Sequence, residues 1–121
     1  LGDPYHCLCL KTTRLVSEKL GLDEKMYMTT FQSRFGPSEW LKPYTSETME
    51  ELPSLGIKDI MVVAPAFSVD CLETIEEIDE ENKEIFLDSG GKAFHYIACL
   101  NDNVDHVEAI NNLIANKISQ L

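Results

Sequence analysis

The alternation of apolar and polar residues predicts helices and strands in turn along the whole chain. A first helix is predicted from Pro4 to Leu20, with Asp3 as its N-cap and Gly21 at its end. Residues 26–32 are rich in strand-favouring side chains and contain no glycine or proline, so they predict a strand. The next stretch, 33–43, is a long irregular loop of the kind that often carries function.

The second half of the chain repeats this alternation. A helix is predicted to begin at Thr45 or Ser46 as its cap and to stop near Gly56. The apolar run 60–64 has no alternation, which is typical of a central parallel strand covered by helices on both faces. The remaining elements are an acidic helix, a strand and a last helix, at 70–84, 93–99 and 104–119.

The order of these elements predicts the fold class. Helices that alternate with strands favour a parallel sheet with helices around it, which is a Rossmann-like α/β architecture. At 121 residues the chain has the length of one domain. Because the first helix has no strand before it and the chain begins at Leu1 instead of Met, we expect a fragment whose first strand lies upstream.

The acidic helix is the most informative segment. Asp70, Glu73, Glu77 and Glu81 are spaced by three, four and four residues, which puts them on one face of a helix. Like charges raise one another's pKa, so this row could accept protons or meet a hard cation. A face that simply meets water is the alternative. The predicted opposite stripe is apolar and consists of Leu72, Ile75, Ile78, Ile85 and Phe86.

Position and charge narrow the function classes. The first acids of this helix follow a strand end, where open parallel sheets bind ligands. With 10 basic and 21 acidic residues the formal charge is -11, which argues against nucleic acid and against an anionic membrane surface. The apolar run 60–67 is much shorter than the ~20 residues that span a bilayer.

Cysteine usage points to a reducing compartment. The four cysteines, at 7, 9, 71 and 99, lack the spacing of a zinc site, so we expect reduced thiols and a cytoplasmic protein. Cys99 ends an apolar segment and is predicted to be a small core residue. Cys71 lies in the first turn of the acidic helix, where a helix N-terminus lowers the pKa of a thiol and the neighbouring carboxylates raise it.

Three groups of residues carry a family resemblance. They are Gly2-Asp3-Pro4-Tyr5, then Phe31-Gln32-Ser33-Arg34-Phe35-Gly36-Pro37 with Trp40-Leu41-x-Pro43-x-Thr45, then Ala66-Phe67-Ser68-Val69-Asp70-Cys71-Leu72-Glu73-Thr74. In this order, and over essentially the whole chain, they resemble ferrochelatase, the terminal enzyme of haem synthesis. The resemblance implies a lyase that inserts ferrous iron into protoporphyrin IX. It also implies a chelatase-like fold in which 1–121 is the C-terminal of two similar lobes, with the porphyrin between them.

The resemblance also implies roles for individual residues. Glu73 would accept a proton or contact iron beside Asp70, and Glu77 and Glu81 would form a relay towards solvent that handles protons or iron. The resemblance also implies the substrate-binding residues. At the carboxyl end of the predicted strand 26–32, Gln32, Ser33 and Arg34 would hold the propionates, and Trp40 in the long loop would be an apolar wall for the ring. For Trp40, ordinary core packing is the alternative.

Two departures from the family limit what this chain could do alone. The Ser-His-Ser-Leu-Pro segment that carries the family's catalytic histidine would lie just upstream of Gly2, and none of His6, His95 and His106 matches it. We therefore expect the catalytic N-terminal lobe to be missing and the isolated chain to be inactive. Cys71 stands where many members have histidine, so a metal-ligand role there would need a thiolate.

The predicted partners follow from the same resemblance. They are protoporphyrin IX, ferrous iron as a substrate and the missing N-terminal lobe, with no nucleic acid, no transmembrane segment and no prosthetic group or iron–sulfur cluster. Peripheral membrane association would be through the missing part. Two alternatives stay open: a cobalt or nickel chelatase acting on another tetrapyrrole, and a non-enzymatic acidic α/β binding module.

Overall fold

The computed structural model describes residues 2–34 and 36–120. Its helices are α1 (Tyr5–Leu20), α2 (Thr45–Glu51), α3 (Leu72–Ile75), α4 (Lys83–Asp88) and α5 (Val104–Ile118), and its strands are β1 (Asp59–Val63) and β2 (Ala93–Ile97). Short 3-10 turns cover Glu24–Met26 and Leu52–Leu55, and a π-helical turn, Glu77–Asn82, joins α3 to α4.

The two strands form a parallel pair. Ile60 lies opposite Phe94 and Val62 opposite Tyr96. The chain between the strands passes through α3, the π turn and α4, which is the helical crossover that parallel strands require. The described structure therefore confirms the predicted α/β class, a parallel sheet flanked by helices.

The core lies on one side of this sheet. It consists of Met49, Leu52, Ile78, Phe86 and Phe94, with Ile60, Val62, Ile85 and Tyr96 half-buried around it. Phe86 is completely buried, and its ring lies 6.1 Å from that of Phe94. Gly91 packs directly on the Phe86 ring, which leaves no space for a Cβ atom. α2 and α4 are thereby fixed beneath β1 and β2.

The prediction that β1 is covered on both faces is wrong for the described residues. Ile60 and Val62 face the core, whereas Met61 is 67% exposed and Val63 is 50% exposed. α5 has no buried residue, so its apolar side does not cover the opposite face. β1 pairs only with β2 in the described sheet, and is therefore an edge strand.

The strand predicted at 26–32 does not form. Residues Glu24–Met26 make a 3-10 turn, and Phe31 forms one isolated bridge with Tyr44. Strand-favouring side chains need a neighbouring ladder, and here a cavity separates residues 29–33 from β1. The hydroxyls of Thr29 and Thr30 instead hydrogen-bond to other threonines.

The predicted cap residues differ from the observed ones at both of the first two helices. Pro4 is the N-cap of α1, which begins at Tyr5, although Asp3 Oδ1 does accept a hydrogen bond from the Tyr5 N–H at 2.8 Å. Tyr44 precedes α2, without a side-chain cap. Thr45 is already the first residue of the helix, and its hydroxyl donates to the Thr30 hydroxyl at 2.9 Å.

The acidic helix differs from its prediction in two ways. Asp70 lies before the helix, because Cys71 is the N-cap of α3 and forms a reciprocal capping box with Thr74. The π turn then widens the helix, as the Glu81 N–H bonds to the Glu76 carbonyl five residues earlier.

These two differences break the predicted faces of the helix. The four acids therefore do not form one straight row. In the predicted apolar stripe Ile78 and Phe86 are buried, whereas Leu72 is 67% and Ile75 is 49% exposed. None of the described helices is long and apolar enough to cross a bilayer.

Candidate functional site

A cavity of about 530 Å³ opens between α1, the segment 29–33 and the carboxyl end of β1. Its described lining contains no charged side chain, although the chain carries a formal charge of -11. Gln32, Ser33, Trp40 and Phe67 belong to this lining. Open α/β sheets bind ligands outside the carboxyl ends of their strands, and small-molecule pockets are mostly apolar, so this cavity is the candidate ligand site.

Ser33 and Glu77 connect the long loop to the acidic helix. Glu77 Oε1 accepts from the Ser33 backbone N–H at 2.6 Å, and Oε2 accepts from the Ser33 hydroxyl at 2.7 Å. Ser33 has a φ of 61°, a left-handed conformation that is uncommon for residues other than glycine. The positive φ turns its N–H and hydroxyl towards the same carboxylate.

Gln32 adds a second connection between the two segments. Its Nε2 atom donates to the Glu73 carbonyl at 2.5 Å and lies 3.3 Å from Glu77 Oε2. In the sequence Gln32 and Ser33 form one group, and Glu73 and Glu77 form another that begins 40 residues after Ser33. The structure joins the two groups by hydrogen bonds, and Gln32 and Ser33 also line the cavity.

Glu73 has an exposed carboxylate in the first turn of α3. A hydrogen bond from the Cys71 thiol and a backbone N–H lower the pKa of Glu73 from its usual value of 4.5. The carboxylate is therefore ionised at neutral pH and can approach a cation, whereas the lowered pKa makes it a weaker proton acceptor than an unperturbed glutamate. Glu81 is also exposed, on the π turn.

Asp70 is held by four donors from three segments. Oδ1 accepts from the Tyr96 hydroxyl at 2.7 Å, the Thr74 hydroxyl at 3.1 Å and the Cys99 N–H at 3.2 Å. Oδ2 accepts from Asn101 Nδ2 at 2.7 Å, and the Asp70 N–H donates back to Asn101 Oδ1 at 2.9 Å.

These hydrogen bonds, with Asn101 first and Tyr96 second, lower the pKa of Asp70 far below its usual 3.8. Asp70 therefore ties the start of α3 to the end of β2, and its oxygens are not available for proton exchange.

Tyr96 and Asn101 are two partners of Asp70 to which the sequence alone assigned no role. Their place at the carboxyl end of the second parallel strand was the signal that could have found them.

Arg34 points away from this group. Its Nε donates to the Ser38 carbonyl at 3.3 Å, and its guanidinium lies 5.4 Å from the centroid of the Tyr44 ring. Trp40 lines the cavity and is 43% exposed, so it is not packed in the core of the described structure. Its role as a wall for a ligand stays a prediction. Phe35, part of the quoted loop motif, lies outside the described residues.

The predicted metal residues do not form a closed site. Among residues 2–34 and 36–120, no three side chains of His, Cys, Asp or Glu are placed to hold one ion together. Glu77 is engaged by the loop, and the Cys71 thiol is engaged in the capping box and with Glu73. Contact of Glu73, Glu81 or Cys71 with iron stays a prediction.

The sequence of this chain is similar to those of known proteins. The ferrochelatase family model matches residues 1–118. The chain is 58% identical over 117 residues to a ferrochelatase of Marinobacter nauticus, which is 97% of this chain and 32% of that protein. It is also 58% identical to "Ferrochelatase 2" of Shewanella oneidensis over 114 residues, and to a ferrochelatase of Vibrio cholerae over 113, in both cases 35% of the relative. The chain thus spans about a third of the length of these relatives.

Proposed function

The chain belongs to the ferrochelatase family, and from this we propose that it forms part of an enzyme that inserts ferrous iron into protoporphyrin IX, the last step of haem synthesis. The observation that carries the proposal is that Gln32 and Ser33 line an uncharged cavity and are hydrogen-bonded to Glu73 and Glu77. A porphyrin is a flat apolar ring with carboxylates at one edge. The cavity suits the ring, and the polar loop at its rim suits the carboxylates.

Metallation releases two protons from the pyrrole nitrogens while the iron loses its water ligands. In the proposed reaction Glu73 accepts a proton or meets the incoming iron, because its carboxylate is ionised and exposed at the start of α3. Glu81 is exposed further along the same helix and passes the proton towards solvent. Asp70 acts as a positioning residue, since its four hydrogen bonds fix the turn from which Glu73 projects.

The rest of the reaction belongs to parts beyond this third of the enzyme. A second lobe supplies the opposite wall of the porphyrin site and a further proton acceptor. Any peripheral contact with a membrane also belongs to that lobe. Iron is a substrate of the proposed reaction, and the proposal gives this chain no prosthetic group. The proposed location is the cytoplasm, in keeping with four cysteines that are all free in the structure.

The experiment uses a full-length ferrochelatase in which this chain forms the corresponding third. Glu73→Gln removes the carboxylate while keeping the size of the side chain. The matched control is Glu84→Gln, an exposed glutamate on α4. Porphyrin binding is measured by fluorescence quenching, and metal insertion is measured with ferrous iron and cobalt in turn.

We expect Glu73→Gln to lower the insertion rate by roughly 10²-fold or more, the usual contribution of a general base, with porphyrin binding retained. Glu84→Gln should insert iron at the unaltered rate. An unchanged rate in Glu73→Gln would contradict the role of Glu73. A parent protein that binds porphyrin and inserts cobalt but not iron would contradict the proposed metal.

A further inference from the structure

The carboxylate of Glu77 is enclosed by donors from the opposite segment. The Ser33 N–H lies 2.6 Å from Oε1, the Ser33 hydroxyl lies 2.7 Å from Oε2, and Gln32 Nε2 lies 3.3 Å from Oε2. Two of these donors come from a residue in the left-handed conformation, and such turns form concave sites that favour anions. We call this arrangement of Ser33 and Gln32 the carboxylate nest.

The nest lies where a ligand would arrive. Gln32 and Ser33 both line the uncharged cavity, whose described walls offer no Lys or Arg to an incoming anion. Arg34 is turned towards Tyr44 and Ser38. The nest is therefore the set of donors on this rim that is already shaped for a carboxylate, and Glu77 fills it.

Two carboxylates could not share this nest. Each oxygen of Glu77 already takes a Ser33 donor, and a second anion at the same distance would meet direct charge repulsion. A ligand carboxylate that uses Ser33 must first displace Glu77. The exchange conserves the hydrogen bonds of the nest, since one carboxylate replaces another.

From this geometry we infer that Glu77 is an internal placeholder for a carboxylate of the substrate. On the proposed function this carboxylate is a propionate of the porphyrin, which takes the Ser33 and Gln32 donors and releases Glu77 from the loop. The released carboxylate then lies one helical turn from Glu73, beside the reacting ring. Binding of the substrate thereby adds a second free acid to the site.

The loop keeps its place during the exchange. Gln32 Nε2 also donates to the backbone carbonyl of Glu73 at 2.5 Å, a contact that does not involve the Glu77 side chain. The side chain of Glu77 alone has to move.

The test compares two porphyrins that differ only in their carboxylates: protoporphyrin IX and its dimethyl ester. Glu77→Ala and Glu77→Gln are made in the full-length ferrochelatase that carries this chain, with Glu84→Ala as the control on an exposed glutamate of α4. Fluorescence quenching gives the Kd of each porphyrin. Far-UV circular dichroism and a thermal unfolding curve report the fold of each variant.

Emptying the nest should favour the diacid alone. We expect Glu77→Ala to bind protoporphyrin IX about tenfold more tightly, the factor that corresponds to one freed charge-assisted hydrogen bond, with the ester unchanged. Glu77→Gln keeps one acceptor oxygen and should give a smaller gain in the same direction. Glu84→Ala should leave both dissociation constants unaltered.

Two results would overturn the inference while leaving the proposed function in place. One is an equal loss of affinity for diacid and ester in both Glu77 variants, which would mean that Glu77 only builds the loop. The other is an equal gain for both porphyrins, which would mean that Glu77 only obstructs the cavity. A parent protein that binds neither porphyrin would overturn the proposed function, and the inference with it.

Discussion

Thr74 holds the turn from which Glu73 projects, and its replacement by valine gives a measurable prediction. Its side chain is fully buried. The hydroxyl accepts from the Cys71 N–H at 3.0 Å and donates to Asp70 Oδ1 or the Cys71 carbonyl, both at 3.1 Å. Valine has nearly the same shape but neither accepts nor donates. Thr74→Val therefore breaks one accepted and one donated hydrogen bond in a buried place.

The magnitude follows from those two bonds. Each contributes about 1 kcal/mol, and the buried Cys71 N–H left without an acceptor adds about 1 kcal/mol more, so Thr74→Val should lose about 3 kcal/mol. Thr74→Ser keeps the hydroxyl and removes one methyl group, which costs about 1 kcal/mol. With a urea slope of about 2 kcal/mol per molar, the midpoint should fall by about 1.5 M for valine and about 0.5 M for serine.

Urea unfolding of the chain, followed by far-UV circular dichroism, measures both variants. The same substitutions in the full-length ferrochelatase carrying this chain should slow iron insertion, and valine should slow it more than serine, because the cap of α3 positions Glu73. If valine proves as stable as serine, the hydroxyl network does not hold this turn. The reasoning that links Asp70, Thr74 and Glu73 would then be refuted.

The other predictions concern separate parts of the molecule. Folding lowers the pKa of Asp70, so the ionised Asp70 carboxylate stabilises the fold fully above its unfolded pKa of 3.8, and this stabilisation is lost as the pH falls below that value. As the pH is decreased, the thermal unfolding temperature should therefore fall more steeply in the parent than in Asp70→Asn. Tyr96→Phe removes one donor to Asp70 and should move this acid transition to higher pH, whereas an unchanged transition would exclude the contact. Phe86→Ala leaves a cavity at a fully buried position and should lower the free energy of unfolding, measured with urea, by about 3–5 kcal/mol. Glu84 is exposed, and Glu84→Ala should lower the same free energy by less than about 1 kcal/mol. The isolated chain should not metallate porphyrin, and steady zinc-porphyrin formation by it would contradict the need for a second lobe.

The regular elements with strong local signals were predictable from sequence. The unbroken apolar run of β1, the glycine after α1 and the periodic pattern of α5 depend on neighbours a few residues away, so a single sequence contains them. The segment 26–32 has equally strong strand-favouring residues and still forms no strand. Its outcome depends on a partner strand, which local propensity does not supply.

The proximity of the site residues could not be read from the sequence. The resemblance selected Gln32, Ser33 and Glu73 as site residues, which stays a prediction, and the structure shows hydrogen bonds that join Gln32 to Glu73 and Ser33 to Glu77. That Glu77 bonds to a residue 44 positions away depends on tertiary packing and on the positive φ of Ser33. The engagement of Asp70 depends on Asn101 across the sheet, and helical spacing alone put Asp70 in a row it does not join.

The π turn sets the angular phase between the two halves of the acidic helix. It contains one residue more than an α-helical path would need, as the Glu76 carbonyl to Glu81 N–H bond shows. Deleting the exposed Glu80 would restore a continuous α-helix, and each residue of an α-helix turns by about 100°. With α4 anchored by Phe86, the rotation would fall on α3 and change the direction in which Glu73 projects. Deleting one residue outside the hydrogen-bonded junction would thus turn Glu73 by about 100° relative to the core without substituting any residue of the candidate site.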